Sequence, residues 1–92
     1  MKIGYARVST KHQRESLDQQ IDLLRQAGCK KVYSEVISGV SSKRPELTKL
    51  LSEIQTGDIL VITAVDRLGR SLKDLIGIIS DLKERSIYFQ SL

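Results

Sequence analysis

Ile59-Leu60-Val61-Ile62 is four apolar residues without a break, entered through Gly57-Asp58 and left through Thr63. A half-exposed strand would alternate apolar with polar, and a helix would need ten or more residues. A short unbroken run bounded by turn signals instead predicts a strand covered on both faces, as in a parallel sheet. Working outward, residues 2–8 and 30–36 also read as strands, and residues 87–92 as a fourth. Three stretches between them carry one apolar stripe each at helical spacing: Leu17, Ile21 and Leu24; Leu47, Leu50, Leu51 and Ile54; Leu72, Leu75, Ile76, Ile79 and Leu82. Ser16 lies three before Gln19 and Ser71 three before Asp74, which is capping chemistry, and Pro45 suits a first helical turn. Gly28 and Gly57 are placed to close the first two helices. The order β-α-β-α-β-α-β predicts an α/β fold: a Rossmann-like open, mainly parallel sheet with helices on both faces and right-handed crossovers. The last strand has nothing after it to cover it, so the reading is of a domain truncated after its fourth strand. No internal repeat, low-complexity segment or linker interrupts the 92 residues.

Composition narrows the function classes. Lys plus Arg outnumber Asp plus Glu by 15 to 11, a formal net charge of +4 that permits an anionic partner. Cys29 is the single cysteine, so no intrachain disulfide can form. With one His besides, no transition-metal cluster is expected. No run approaches the roughly 18 apolar residues of a membrane span or the pattern of a signal peptide. The expectation is a cytoplasmic protein with no membrane partner.

In open parallel sheets ligands bind beyond the carboxyl ends of the strands. After the first strand come Arg7, Ser9, Thr10 and His12; after the second, Ser38 to Arg44; after the third, Asp66-Arg67-Leu68-Gly69-Arg70-Ser71. Arg7 and Ser9 are two apart, so their side chains share a face for as long as the strand lasts. A serine hydroxyl needs activation before it attacks. No G-x-S-x-G elbow surrounds Ser9, which argues against an acyl-transfer triad. Arg7, Arg44, Arg67 and Arg70 offer planar forks matched to phosphate oxygens, and stabilising charge on those oxygens is the main task in phosphoryl transfer. Neither G-x-x-x-x-G-K-[ST] nor G-x-G-x-x-G occurs, and Cys29 lacks the arginine of a cysteine-phosphatase loop. No cofactor is expected.

Tyr5-Ala6-Arg7-Val8-Ser9-Thr10, Ser16-Leu17-Asp18-Gln19-Gln20, Ser38-Gly39 with Arg44, and Asp66-Arg67-Leu68-Gly69-Arg70-Ser71 together resemble, in order and spacing along the whole chain, the catalytic domain of the resolvase/invertase family of serine site-specific recombinases. The resemblance implies that Ser9 is a nucleophile toward a DNA phosphodiester, leaving a 5′-phosphoseryl linkage and a free 3′-hydroxyl. It implies that Arg7, Arg67 and Arg70 surround the scissile phosphate, and that Arg44 comes from the loop after the second strand. Asp66 matches an acidic residue that either transfers a proton or orients an arginine. Gln13 and Gln20 match two glutamines near the site, although the segment between Ser9 and Gln20 is slightly longer than in small resolvases. Neither ATP nor metal would be required. The partner implied is double-stranded DNA, with a full-length protein acting as a dimer and a synaptic tetramer. These 92 residues, without the family's dimerisation helix and DNA-binding module, are expected to be monomeric or weakly associating and inactive alone. The alternative is a non-catalytic nucleic-acid-binding or regulatory module using the same basic edge. Ser71 is read as a helix cap, and His12 and Cys29 as a loop and a strand-entry residue.

Overall fold

The computed structural model describes residues 1–8, 14–37, 43–64 and 72–92. They form β1 (Lys2–Val8), α1 (Arg14–Gln26), β2 (Lys31–Val36), α2 (Pro45–Glu53), β3 (Ile59–Ile62), α3 (Leu72–Glu84) and β4 (Tyr88–Ser91), in that order. The sheet runs β2-β1-β3-β4 and every pairing is parallel. The run at 59–62 is β3, paired on both sides, with Leu60, Val61 and Ile62 fully buried.

From β1 the chain steps one way across the sheet to reach β2, then reverses past β1 to β3 and continues to β4. Crossovers of a single hand must change face when the direction reverses. The core divides accordingly. Leu17 and Leu24 of α1 pack with Ala6, Val8, Cys29 and Val61 on one face. Leu47 and Leu50 of α2 and Leu82 of α3 pack with Ile3, Tyr5, Tyr33, Leu60 and Ile62 on the other. Alternation along β1 sends odd residues to the α2/α3 face and even residues to α1. The fully buried aliphatic side chains, Leu24, Leu50, Leu60, Ile62 and Leu82 among them, each contribute roughly 1.5–3 kcal/mol by leaving water.

Two helices end alike. After α1, Gly28 at φ 98° lets its own N–H reach Arg25 and that of Cys29 reach the Leu24 carbonyl, turning the chain into β2. After α3 the same pair of bonds forms, Ser86 to Lys83 and Ile87 to Leu82, with Ser86 at φ 58° where glycine is preferred. The helix limits correct two expectations. α1 is already helical at Arg14, so Ser16 lies inside it and is not its cap. α2 ends at Ile54, which turns extended; Gly57 belongs to the next turn, where the Asp58 N–H donates to the Gln55 carbonyl. Arg85 binds the exposed end of α2 through the carbonyls of Leu51 and Ile54, both at 2.9 Å, a cation at the negative end of the helix.

α1 approaches β1 closely at Gly4, where an added methyl group would stand 3.1 Å from Leu24 Cδ1 and 3.2 Å from Cys29 Sγ. Gly4→Ala is expected to lower stability by about 1–3 kcal/mol through overpacking, measured by urea unfolding. Ser86→Gly, which relieves a left-handed backbone, is expected to raise it by about 0.5–1 kcal/mol in the same assay.

Candidate active site at the carboxyl edge of the sheet

The edge where β1, β2 and β3 end is held open by one glutamine. β1 pairs with β2 as far as Val8↔Val36, but with β3 only as far as Tyr5↔Ile62. Main-chain groups of odd residues in β1 point toward β3, as Met1 does to Ile59, and those of even residues toward β2, as Lys2 does to Lys30 and Val8 to Ile37. The Arg7 main chain therefore faces the gap where β3 has left. The Gln20 carboxamide of α1 fills it: its Oε1 accepts from the Arg7 N–H at 3.3 Å and its Nε2 donates to the Arg7 carbonyl at 3.1 Å. The Thr63 hydroxyl, just past β3, donates to the same Oε1 at 3.4 Å. A primary amide has the donor and acceptor pair of a peptide unit, so it can stand in for the missing strand. Gln20 is buried, and what it holds is the backbone that carries Arg7.

On the opposite face Arg7 follows Ile3 and Tyr5 in parity and lies in register with Glu35 of β2. Glu35 is a carboxylate only 9% exposed, and several groups meet it. Oε2 accepts from the Tyr5 hydroxyl at 2.6 Å and the Leu47 N–H at 3.1 Å; Oε1 accepts from the Glu46 N–H at 3.1 Å. The last two are first-turn amides of α2, whose cap residue Arg44 gives no side-chain cap. A strand carboxylate thus caps the helix from outside, at its positive end. Burial first, and then the Glu35 carboxylate, push the Tyr5 phenol well above its ordinary value, while the charges of Arg7 and Arg44 pull it down. Tyr5 therefore remains a hydrogen-bond donor, and both guanidinium groups act on one phenol.

Arg44 precedes α2 and its side chain is 8% exposed; Nη2 donates to Asp74 Oδ2 at 2.5 Å. Asp74 sits in the first turn of α3, so the ion pair joins the starts of two helices. Both residues line a groove of about 670 Å³ between α2 and α3, together with Lys43, Leu47, Leu51 and Ile78.

Of the residues singled out from the sequence, Arg7 and Arg44 are brought to the same end of the α2/α3 face, and Gln20 lies on the α1 face bound to the Arg7 backbone. Ser9, Gln13, Asp66, Arg67 and Arg70 lie outside the described residues, as do His12 and Ser71. Glu35 was missed. A signal existed: Tyr33, Glu35 and Ile37 share one parity, and both neighbours are buried, so an acid stood on an apolar stripe a short way before the helix start at Pro45. Asp74, expected only as a capping partner of Ser71, binds Arg44. Cys29 is buried, with its thiol pushed up by burial and drawn down by Lys2, as suits a core position.

An open parallel α/β domain with arginines gathered at the carboxyl edge of its strands is the class that fold and site define. A family model described as Resolvase, N terminal domain, matches residues 2–92. The transposon Tn552 DNA-invertase BinR of Staphylococcus aureus is 48% identical over 92 residues, covering all of this chain and 47% of that protein. The serine recombinase gin of Escherichia phage Mu is 46% identical over 92 residues, covering all of this chain and 47% of its own. Among solved structures, the C-terminal catalytic domain of ISC1926 TnpA, an IS607-like serine recombinase, superposes with a TM-score of 0.82 at 25% identity, over 98% of this chain and 65% of that one. The chain belongs to the resolvase family, and it spans about half the length of these two curated relatives.

Glu35→Gln replaces one carboxylate oxygen with an NH₂ that cannot accept, so at least one of the two amide N–H groups bonded there loses its partner. It is expected to cost about 1–3 kcal/mol, the range for leaving a buried donor unsatisfied. Hydrogen exchange should quicken first at the Glu46 and Leu47 amides; unchanged exchange there would contradict the capping role.

Proposed function

We propose that this chain is the catalytic domain of a serine recombinase that cuts and rejoins duplex DNA at specific sites. The observation that carries the reading is the convergence of Arg7 and Arg44, from different elements, beside Tyr5 and Glu35 at the carboxyl edge of the sheet, in a chain of the resolvase family. Arg7 lies two residues before Ser9, and the Gln20 clamp fixes the backbone leading there.

In this mechanism the Ser9 hydroxyl loses its proton as Oγ attacks phosphorus. An Oγ–P bond forms and the P–O3′ bond breaks, so the 3′ oxygen leaves and is protonated as a free hydroxyl. Arg7, Arg44, Arg67 and Arg70 stabilise the charge on the non-bridging oxygens. Asp66 either takes part in proton transfer or orients an arginine, and Gln13 matches a glutamine of the family's motif. Gln20 acts through the Arg7 backbone. Because one ester replaces another, a 3′-hydroxyl from a different strand reverses the step and rejoins the DNA without ATP. The full-length protein pairs as a dimer on each site and as a tetramer across two, while the 92 residues alone bind DNA weakly. Among the described residues no helix is long and apolar enough to cross a membrane.

Incubating the full-length protein with a plasmid carrying the DNA on either side of its gene, then denaturing, is expected to leave protein on the 5′ ends. Ser9→Ala is expected to abolish that adduct while retaining DNA binding, and Arg7→Ala to slow it by about 10²-fold or more. Adduct formed by Ser9→Ala would end the assignment. DNA binding with no adduct from the wild type would favour a non-catalytic binding module.

A further inference from the structure

Arg44 is held in two ways. Its backbone is the cap position of α2, and the two amides that follow Pro45 are tied to Glu35, so its Cα is fixed relative to the end of β2. Its guanidinium is tied across the α2/α3 boundary to Asp74 at 2.5 Å. The fork of five N–H groups is planar and rigid, so a carboxylate held at Nη2 limits how the whole group can turn. The grip is largely buried, with Arg44 8% and Asp74 27% exposed, so solvent screens it less than a surface pair. Asp74 is itself well placed for this, because the first turn of α3 favours a negative charge. It also stands four residues after Arg70, so the start of α3 joins the segment carrying Asp66, Arg67 and Arg70 to the arginine that precedes α2.

We infer that Asp74 is a positioning residue for the strand-transfer reaction: it sets the plane and reach of the Arg44 guanidinium against the scissile phosphate. This rests on the recombinase reading above. Asp74 does not touch the DNA; it acts through Arg44. Removing its charge weakens that hold on the guanidinium, so more of its ordering falls to the phosphate during the reaction, and a misplacement of about 1 Å is enough to cost on the order of 10²-fold in rate.

The test measures single-turnover formation of the protein–DNA adduct by the full-length protein on the plasmid described above. Asp74→Asn, an isostere that keeps an acceptor, is expected to slow the adduct by about 10- to 100-fold with DNA affinity within about two-fold of wild type. Asp74→Glu is expected to recover part of the rate. In an Arg44→Ala background, adding Asp74→Asn is expected to change the rate by less than about two-fold, since the group it positions is gone. A purely structural role for Asp74 would instead lower the melting temperature and slow both backgrounds equally. An Asp74→Asn rate within two-fold of wild type, or above it, overturns the inference; with Ser9→Ala still inactive, the recombinase reading stands.

Discussion

A single buried carboxylate organises the working edge of this domain. Glu35, one residue before the end of β2, accepts from the Tyr5 hydroxyl on the neighbouring strand and from two first-turn amides of α2. Burying an acid side chain to 9% exposure is costly without hydrogen-bond partners. It is tolerated here because the groups around it are donors, two of them lying at the positive end of a helix. The arrangement joins two strands to a helix at the one point where the chain must pass from sheet to α2, and Arg44 is the residue at that junction. Arg85 at the other end of α2, binding the carbonyls of Leu51 and Ile54, completes a helix whose two ends are each met by a charge of the right sign from elsewhere in the fold.

The sheet topology explains why the two faces of this edge do different work. Because β1 is where the chain reverses direction, β2 and β3 flank it while their connections leave on opposite faces, and the strands part beyond Tyr5 and Ile62. Such a parting leaves main-chain groups without strand partners, and those must be satisfied. On the α1 face Gln20 satisfies them with its carboxamide. On the α2/α3 face the space is occupied by charged side chains: Arg7 in register with Glu35, and Arg44 against Asp74. One face thus supplies rigidity to the backbone that runs toward Ser9, and the other supplies cations. The division follows from topology before any chemistry is considered.

The order of elements, the parallel sheet and the placement of helices on both faces were legible from the chain, because they rest on periodicity. Four unbroken apolar residues marked β3, three apolar stripes marked the helices, and the strand limits at 2–8 and 59–62 agree with the structure. The start of α1 was less legible, whereas Pro45 does open α2. Ser16 carries the right capping chemistry yet lies inside α1, which is helical from Arg14. The family was legible through its motifs, which also mark Arg7 and Arg44, the two described arginines that meet near Tyr5. Glu35 and Asp74 were not, because each looks local: one an acid in a strand, the other an acid three residues after a serine.

The amino-acid sequence by itself determined the fold class and the family and marked the candidate site residues, because hydrophobic period and motif spacing are properties of a linear chain. Only the tertiary structure decided who holds whom. That Glu35 caps a helix beginning ten residues later, that Gln20 replaces a strand for Arg7, and that Asp74 grips Arg44 across 30 positions depend on directions in space. Side chains whose partners lie far along the chain leave no periodic trace, and those partners meet only once the crossovers have set the faces of the sheet.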